Sequence, residues 1–204
     1  MNRPRLAVFA SGGGSNFQAI VDASKEGRLS ADVVLLVASS ATIGAVERAR
    51  KEHIEVVVCA RNDDPLPLVA SRAIDIIALA GYLRLIPAHM VEQFRNRILN
   101  VHPALLPSFG GAGMYGMNVH EAVVAHGVRV SGATVHIVDT EFDSGPIVAQ
   151  ESVPVYPDDS PSDVAARVNA AELHLYPQAL QLLAQDRLVV DGRRVSILPP
   201  PKTP

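Results

Sequence analysis

The sequence is poor in several features that would define other classes of protein. Its 204 residues include one cysteine, Cys59, which excludes an intramolecular disulfide and suits a reducing compartment. No apolar run approaches the ~18 residues that a membrane span needs, and the N-terminal residues do not continue as a signal peptide. Lys and Arg number 18 against 21 Asp and Glu, with no basic run. These absences predict a cytoplasmic protein that binds neither membrane nor nucleic acid.

The composition and the apolar pattern predict a single α/β domain over residues 1–204. Hydrophobic residues make up 48% of the chain and charged residues 19%, which is typical of globular proteins. Up to residue 100, short apolar runs alternate with amphipathic stretches, a pattern of a mostly parallel, twisted sheet with helices on both faces. The predicted strands are 6–10, 33–38, 54–59, 74–80 and 98–101, and the predicted helices are 16–26, 45–52 and 87–94.

After residue 100 the pattern changes. We predict strands at 130–138 and 146–155, and a long helix over 161–184 that begins with a capping motif at Ser160. Residues 188–190 and 193–197 predict a short hairpin with a type I′ turn at Asp191-Gly192. The proline-rich tail, 199–204, is expected to be extended and loosely held.

A glycine-rich turn joins the first predicted strand to the first predicted helix, with the sequence ASGGGSN at residues 10–16. Glycines allow close approach of a ligand, and free helix N–H groups attract an anion. The alternative is a tight turn with Ser15 or Asn16 as helix cap. A dinucleotide fingerprint fails because Phe17, Gln18 or Ala19 stands at its last glycine position, and a Walker loop lacks its lysine. A bound monophosphate remains the better prediction.

Asn100 and His102 stand two residues apart at the end of a predicted strand, so both point to one face. An amide donor beside a protonated imidazole suits a reaction with an oxyanion intermediate. The alternative is an asparagine turn followed by a solvent-facing histidine. Asp139 or Asp143 could supply a carboxylate that raises the pKa of His102, although an acidic loop can also simply face water.

The remaining histidines show no metal-ligand spacing, so no metal site is predicted. His136 either faces the site or forms a hydrogen bond within its strand, and His120 has no predicted role. No sequence motif points to a covalent nucleophile.

Several segments together resemble the glycinamide ribonucleotide transformylase family. They are residues 11–16 (SGGGSN), 79–86 (LAGYLRLI), 100–109 (NVHPALLPSF), 132–136 (GATVH), 139–146 (DTEFDSGP) and 171–177 (AELHLYP), and the resemblance covers roughly residues 5–190.

The resemblance implies a Rossmann-like formyltransferase fold, with a phosphate-binding half (1–100) and a folate-binding, catalytic half (101–190). It implies transfer of a formyl group from 10-formyltetrahydrofolate to glycinamide ribonucleotide in purine synthesis, by a monomer or homodimer. Asn100, His102 and Asp143 match the catalytic residues of the family. The implied ribonucleotide-binding residues are Gly14, Ser15, Asn16 and Glu172. The implied folate-binding residues are Leu83, Arg84, Leu85, Ile86, Asn100, Asp139, Thr140 and Glu141.

The chain departs from the family pattern in a short segment at 60–73 and a glycine-rich segment at 110–116. Three other functions remain to be weighed. A formyltetrahydrofolate deformylase usually has His-His where this chain has His102-Pro103, and a methionyl-tRNA formyltransferase adds an RNA-binding domain. A non-catalytic nucleotide-binding module would not explain Asn100, His102 and Asp143 together.

Overall fold

A computed structural model describes residues 3–200, which form a seven-stranded sheet and a separate hairpin. The strands are β1 (Arg5–Ala10), β2 (Asp32–Ala38), β3 (Glu55–Val58), β4 (Ile76–Ala80), β5 (Ile98–His102), β6 (Val130–Ile137), β7 (Ile147–Pro154), β8 (Leu188–Asp191) and β9 (Arg194–Ile197). The helices are α1 (Ser15–Lys25), α2 (Gly44–Lys51), α3 (Leu66–Ala70), α4 (Ala88–Gln93), α5 (Met117–Ala125) and α6 (Pro161–Ala184).

The sheet has the strand order β3-β2-β1-β4-β5-β6-β7. The first five strands in this order are parallel, whereas β6 runs antiparallel to β5 and β7 runs antiparallel to β6. The predicted mostly parallel α/β sheet is therefore confirmed.

Both faces of the sheet are covered, as the apolar runs predicted. In β1, Leu6 and Val8 belong to one buried cluster while Ala7 and Phe9 belong to another on the opposite face. Helices α1, α2, α5 and α6 contribute to the first cluster, and α3 and α4 contribute to the second. Because successive side chains of a strand point to opposite faces, a strand buried on both sides must be apolar at every position.

The long helix α6 is fixed at its start and near its middle. Ser160 and Asp163 form the predicted capping box, with Pro161 at the first helical position. The buried hydroxyl of Tyr176 lies 3.1 Å from the carbonyl oxygen of Leu79 and 2.8 Å from that of Leu99. These contacts hold α6 against the carboxyl ends of β4 and β5, where the cavity described below opens.

Three features differ from the sequence-based expectations. Helix α5 was not predicted, and the short segment at 60–73 contains the short helix α3. The hairpin pairs Asp191 with Arg194, so its turn is Gly192-Arg193, one residue later than predicted. Only Gly192 in that turn has a positive φ, of 56°. This is the geometry of a type II′ turn, because type I′ needs positive φ at both residues.

Part of the predicted tail, residues 201–204, lies outside the described residues. In the described range no helix is both long enough and apolar enough to cross a membrane.

Candidate active site

A cavity of about 580 Å³ opens at the carboxyl ends of β4 and β5. Its wall comes from residues 79–86, 100–103, 111–117 and 136–143, and from one side of α6. In open α/β sheets the carboxyl ends of the strands form the usual ligand crevice. The polar residues that the sequence singled out are concentrated in this wall.

His102 and Asp143 meet in the cavity wall, where both ring nitrogens of the histidine face oxygen acceptors. Nε2 donates to the carbonyl oxygen of Phe109 at 2.8 Å, and Nδ1 lies 3.4 Å from Oδ2 of Asp143. The His102 side chain is 4% exposed. Only a ring with a hydrogen on each nitrogen satisfies both acceptors, so these contacts favour the imidazolium.

Burial outweighs that preference. Desolvation lowers the pKa of His102 below its ordinary value, against the opposing influence of Asp143 and the Phe109 carbonyl, and a positive charge on the neighbouring His136 ring would lower it further. The sequence-based expectation of a raised pKa is therefore wrong in its net direction. Asp143 does raise the pKa as expected, but the sequence could not show how completely His102 is removed from water.

Asp143 is an ionised carboxylate in this environment. Burial raises its pKa, but the His136 ring in its protonated form, the charge of His102 and the backbone N–H of Gly111 outweigh burial and lower it. Gly111 donates to Oδ2 at 3.0 Å. The Asp143 backbone has a φ of 54°, a left-handed conformation that non-glycine residues rarely adopt and that is found preferentially at functional sites.

The Asp139 carboxylate accepts hydrogen bonds within its own loop and does not contact the imidazole of His102. Its carboxylate accepts from the Ser144 hydroxyl at 2.6 and 2.7 Å, and from the N–H of Glu141 at 3.0 Å. Of the two aspartates that the sequence left open, the structure therefore brings Asp143 to His102.

Asn100 lies directly opposite His136 across the antiparallel β5·β6 pair. Its amide nitrogen is 3.1 Å from Nε2 of His136 and 3.4 Å from Oδ1 of Asp143. The structure thus joins Asn100, His102 and Asp143 in one polar cluster, together with His136.

One position of the glycine turn, Gly14, packs too closely for a side chain, whereas Gly12 and Gly13 have open space around them. Gly14 has a φ of 80°, and a Cβ built on it would lie 2.7 Å from the Cα of Ala45. Among the described residues no side chain caps α1, which removes the cap alternative for Ser15 and Asn16. Instead Ser15 donates to Asn169 at 3.3 Å and Asn16 donates to Glu172 at 3.0 Å, so both side chains turn toward α6.

Glu172 is a buried carboxyl group in the cavity wall. It is 9% exposed, and burial raises its pKa to about 7, although the hydrogen bond from Asn16 acts in the opposite direction. Oδ1 of Asn16 is buried and has no partner in the part of the chain that the structure describes. Asn16 and Glu172 line the cavity, whereas Gly14 and Ser15 lie beyond its lining.

Comparisons with known proteins decide the family. Residues 4–180 match the sequence profile of the formyl transferase family. The chain belongs to this family.

Three similar proteins illustrate the relationship. A chloroplastic phosphoribosylglycinamide formyltransferase of Vigna unguiculata is 44% identical over 198 residues, covering 93% of this chain, which spans 64% of that relative's length. The phosphoribosylglycinamide formyltransferase of Haemophilus influenzae is 33% identical, with 90% of this chain and 89% of the relative covered. A crystal structure of glycinamide ribonucleotide transformylase 1 from Symbiobacterium toebii superposes with a TM-score of 0.90 at 38% identity, covering 97% and 95% of the two chains.

Residues 83–86 belong to the segment that resembles the folate-binding part of this family. Some of their side chains lie at the cavity mouth and others in the interior. Leu83 is 50% exposed and Leu85 47% exposed, while Ile86 is buried in the core. The Arg84 guanidinium donates to the carbonyl oxygens of Cys59 and Ser39, at 2.8 and 3.0 Å. Its charge is therefore held at the ends of β3 and β2.

The loop after β6 contributes to the cavity only in part. Asp139 and Glu141 line it, whereas Thr140 is exposed outside the lining. Within residues 3–200 no group of three or more His, Cys, Asp or Glu side chains is arranged to hold a metal ion.

Sequence reasoning missed His120 and left His136 open, either facing the site or bonded within its strand. His136, 2% exposed, contacts Asn100, and His120, 6% exposed, lines the cavity from α5. Burial lowers the pKa of His120, and the charge of His102 lowers it further. Pairing the predicted strands of Asn100 and His136 could have placed His136 in the site. His120 lies in helix α5, which was not predicted.

Proposed function

We propose that the protein transfers a formyl group from 10-formyltetrahydrofolate to the amine of glycinamide ribonucleotide, as a step of purine synthesis. The observation that carries this proposal is the convergence of Asn100, His102 and Asp143 in one wall of a cavity whose far side contains Glu172. The names of the similar proteins support the same reaction.

The chemistry follows from the positions of these groups. The substrate amine attacks the formyl carbon, and the oxygen of the tetrahedral intermediate accepts a hydrogen bond from Asn100. The positive charge of protonated His102, whose N–H groups face Phe109 and Asp143, stabilises the same oxygen. Because His102 is buried, a negative oxygen nearby favours its protonated form, so the ring takes up the proton that the attacking amine loses and passes it on when the intermediate collapses. Asp143 stabilises the imidazolium, and the proton lost by the amine reaches the departing folate nitrogen through water.

The ribonucleotide is proposed to bind between the glycine turn and α6. Backbone N–H groups of residues 14–16 at the start of α1 face the phosphate, which also gains from the helix dipole. The unpartnered Oδ1 of Asn16 and the carboxyl of Glu172 supply acceptors for ribose hydroxyls or the amine.

The folate is proposed to bind at the opposite end of the cavity. Residues 83–86 present exposed leucines and backbone groups to it, the Leu83 N–H already donating to the Ser11 hydroxyl at 3.3 Å. Asn100 and the loop of Asp139, Thr140 and Glu141 close the other side. Arg84 contributes through its backbone, because its guanidinium is already bound to two carbonyl oxygens. Exposed Phe142 and Tyr115 add apolar area at the mouth.

An activity assay separates the transferase from the deformylase. Purified protein is mixed with 10-formyltetrahydrofolate, with and without glycinamide ribonucleotide, and both tetrahydrofolate and formylated product are measured. We expect folate turnover only with the ribonucleotide and one product for each tetrahydrofolate. Ribonucleotide-independent release of formate would refute the proposal.

Matched histidine variants control this assay. His102→Ala should remove nearly all transfer, whereas His89→Ala, on a side chain 54% exposed and paired with Asp64, should leave it unchanged.

We further propose that residues 1–204 form one domain that acts in the cytoplasm as a monomer or homodimer. A single buried thiol, Cys59, fits a reducing compartment. A single cooperative unfolding transition would test the one-domain statement. Cell fractionation would test the location, and sedimentation analysis would test the oligomeric state.

A further inference from the structure

His136 is the buried neighbour of Asn100, and its setting in β6 is specific. It is paired with Asn100 on β5, and the register of β6 against β7 shifts between Val135 and His136. Such irregularities re-aim a side chain and are frequent next to active sites. The ring is 2% exposed, and within residues 3–200 its polar partners are Asn100, Asp143 and the carbonyl oxygen of Ile137.

The hydrogen bonds determine which nitrogen of His136 carries the hydrogen. Nδ1 lies 3.0 Å from the carbonyl oxygen of Ile137, and a carbonyl oxygen only accepts, so Nδ1 is the donor. Nε2 lies 3.1 Å from the amide nitrogen of Asn100, which only donates, so Nε2 presents a lone pair.

The opposite orientation of the Asn100 amide is disfavoured. It would turn the amide oxygen toward the ionised carboxylate of Asp143, whose Oδ1 lies 3.4 Å from the amide nitrogen. The distance from Nε2 of His136 to the same Oδ1 is 3.6 Å, too long for a hydrogen bond. The amide nitrogen therefore lies between two acceptors, the closer of which is His136.

We propose that His136 is a positioning residue: held as its Nδ1–H tautomer by the Ile137 carbonyl, it accepts one hydrogen of the Asn100 amide and aims the other at the transferred formyl group. The second amide hydrogen has only the long approach to Asp143, which leaves it free for the oxygen that becomes negative. This role rests on the proposed formyl transfer, since it acts through Asn100.

Gly145 fixes the carbonyl on which this arrangement depends. A Cβ on Gly145 would lie 1.7 Å from the carbonyl oxygen of Ile137, so the backbone of the next loop packs directly against it. The N–H of Val138, in the same peptide unit as this carbonyl, donates in turn to the carbonyl oxygen of Ile98 at 2.9 Å. The acceptor for Nδ1 thus has no freedom to rotate away.

The tautomer can be tested without any activity. In protein labelled with ¹⁵N at histidine, long-range ¹H–¹⁵N correlations at pH 8 separate protonated from unprotonated ring nitrogens. The signals of His136 are assigned by their loss in His136→Gln. We expect hydrogen on Nδ1 and none on Nε2. Hydrogen on Nε2, in a neutral or a doubly protonated ring, would overturn the proposal.

Kinetics of two substitutions test the role in the reaction. His136→Phe keeps a planar ring but removes the acceptor, and should lower kcat roughly 10- to 100-fold, as expected for a misplaced reacting group. KM for the ribonucleotide should change by less than about 2-fold, because its proposed binding groups, Asn16 and Glu172, do not contact His136. His136→Gln, whose side-chain oxygen can accept from Asn100, should recover part of kcat.

A double-mutant cycle separates positioning from a merely structural role. In an Asn100→Ala background, His136→Phe should reduce kcat by no more than about 2-fold further, because its effect passes through the missing amide. The positioning role would be refuted if the kcat reductions of the two single variants multiply in the double variant. It would also be refuted if His136→Phe and His136→Gln lose kcat equally. Wild-type protein that does not transfer formyl groups would refute the proposed function instead, while the NMR result tests the tautomer in either case.

Discussion

Replacing Glu172 by glutamine should make the ligand-free protein more stable at alkaline pH and leave its stability in acid unchanged. Glu172 is a buried carboxyl whose pKa is raised by desolvation to about 7. Glutamine has nearly the same shape, carries no charge, and keeps an oxygen that can accept the hydrogen bond from Asn16.

The size of the effect follows from proton linkage. An acid with a raised pKa in the folded state destabilises that state wherever the unfolded chain has already lost the proton. Below pH 4.5, the ordinary value, both states are protonated and the wild type suffers no penalty. Between pH 4.5 and about 7 the penalty grows, and above pH 7 it stays constant at ~3 kcal/mol, from ~1.4 kcal/mol for each pH unit.

Urea unfolding at a series of pH values measures this difference directly. Glu172→Gln should gain ~3 kcal/mol at pH 8, equivalent to a midpoint higher by ~1 M urea or more, and should match the wild type at pH 4. Glu47→Gln is the matched control, because Glu47 is exposed and its hydrogen bond to Lys51 lowers its pKa. A gain that is absent at pH 8, or present equally at pH 4, would refute the reasoning about Glu172.

Three further predictions concern catalysis and binding. Asn100→Ala should lower kcat by roughly 100- to 1,000-fold through loss of an oxyanion donor, and near-normal turnover in a folded variant would contradict the site. Asp143→Asn should lower the pKa of His102 further and strongly depress kcat, whereas Asp139→Asn should do much less; NMR titration of the His102 ring in both variants decides between them. Asn16→Ala should mainly raise KM for the ribonucleotide, and steady-state kinetics showing a large loss of kcat at unchanged KM would count against a binding role.

Most of the sheet could be predicted because its signals are local. Strands β1, β2 and β4 are short apolar runs with helical periodicity between them, and Ser160 marks the start of α6 with a capping box. Helix α5 escaped prediction because the glycine-rich segment before it indicates a loop. The hairpin turn shifted by one residue because both Asp191-Gly192 and Gly192-Arg193 fit a two-residue turn, and cross-strand pairing decides between them.

The site was predictable where residues stand close in sequence, and less so where the fold brings distant ones together. The spacing of Asn100 and His102 on one strand was sufficient to predict a shared face. The direction of the pKa shift of His102 could not be predicted, because it depends on burial of the ring by segments far away in the chain. For the same reason, His136 could be placed on a strand but not opposite Asn100.

The antiparallel pairing of β5 and β6 sets the separation of Asn100 and His136 independently of the chain that connects the two strands. The backbone ladder sets the distance from Asn100 to His136, while the connecting chain carries α5 and turns at Gly127, where φ is 62°. Lengthening a surface connection costs little free energy, since loop closure depends only weakly on length. Insertions in residues 111–117, which line the cavity, would therefore reshape its wall, and with it the choice of substrate, while the ladder keeps the chemistry in place.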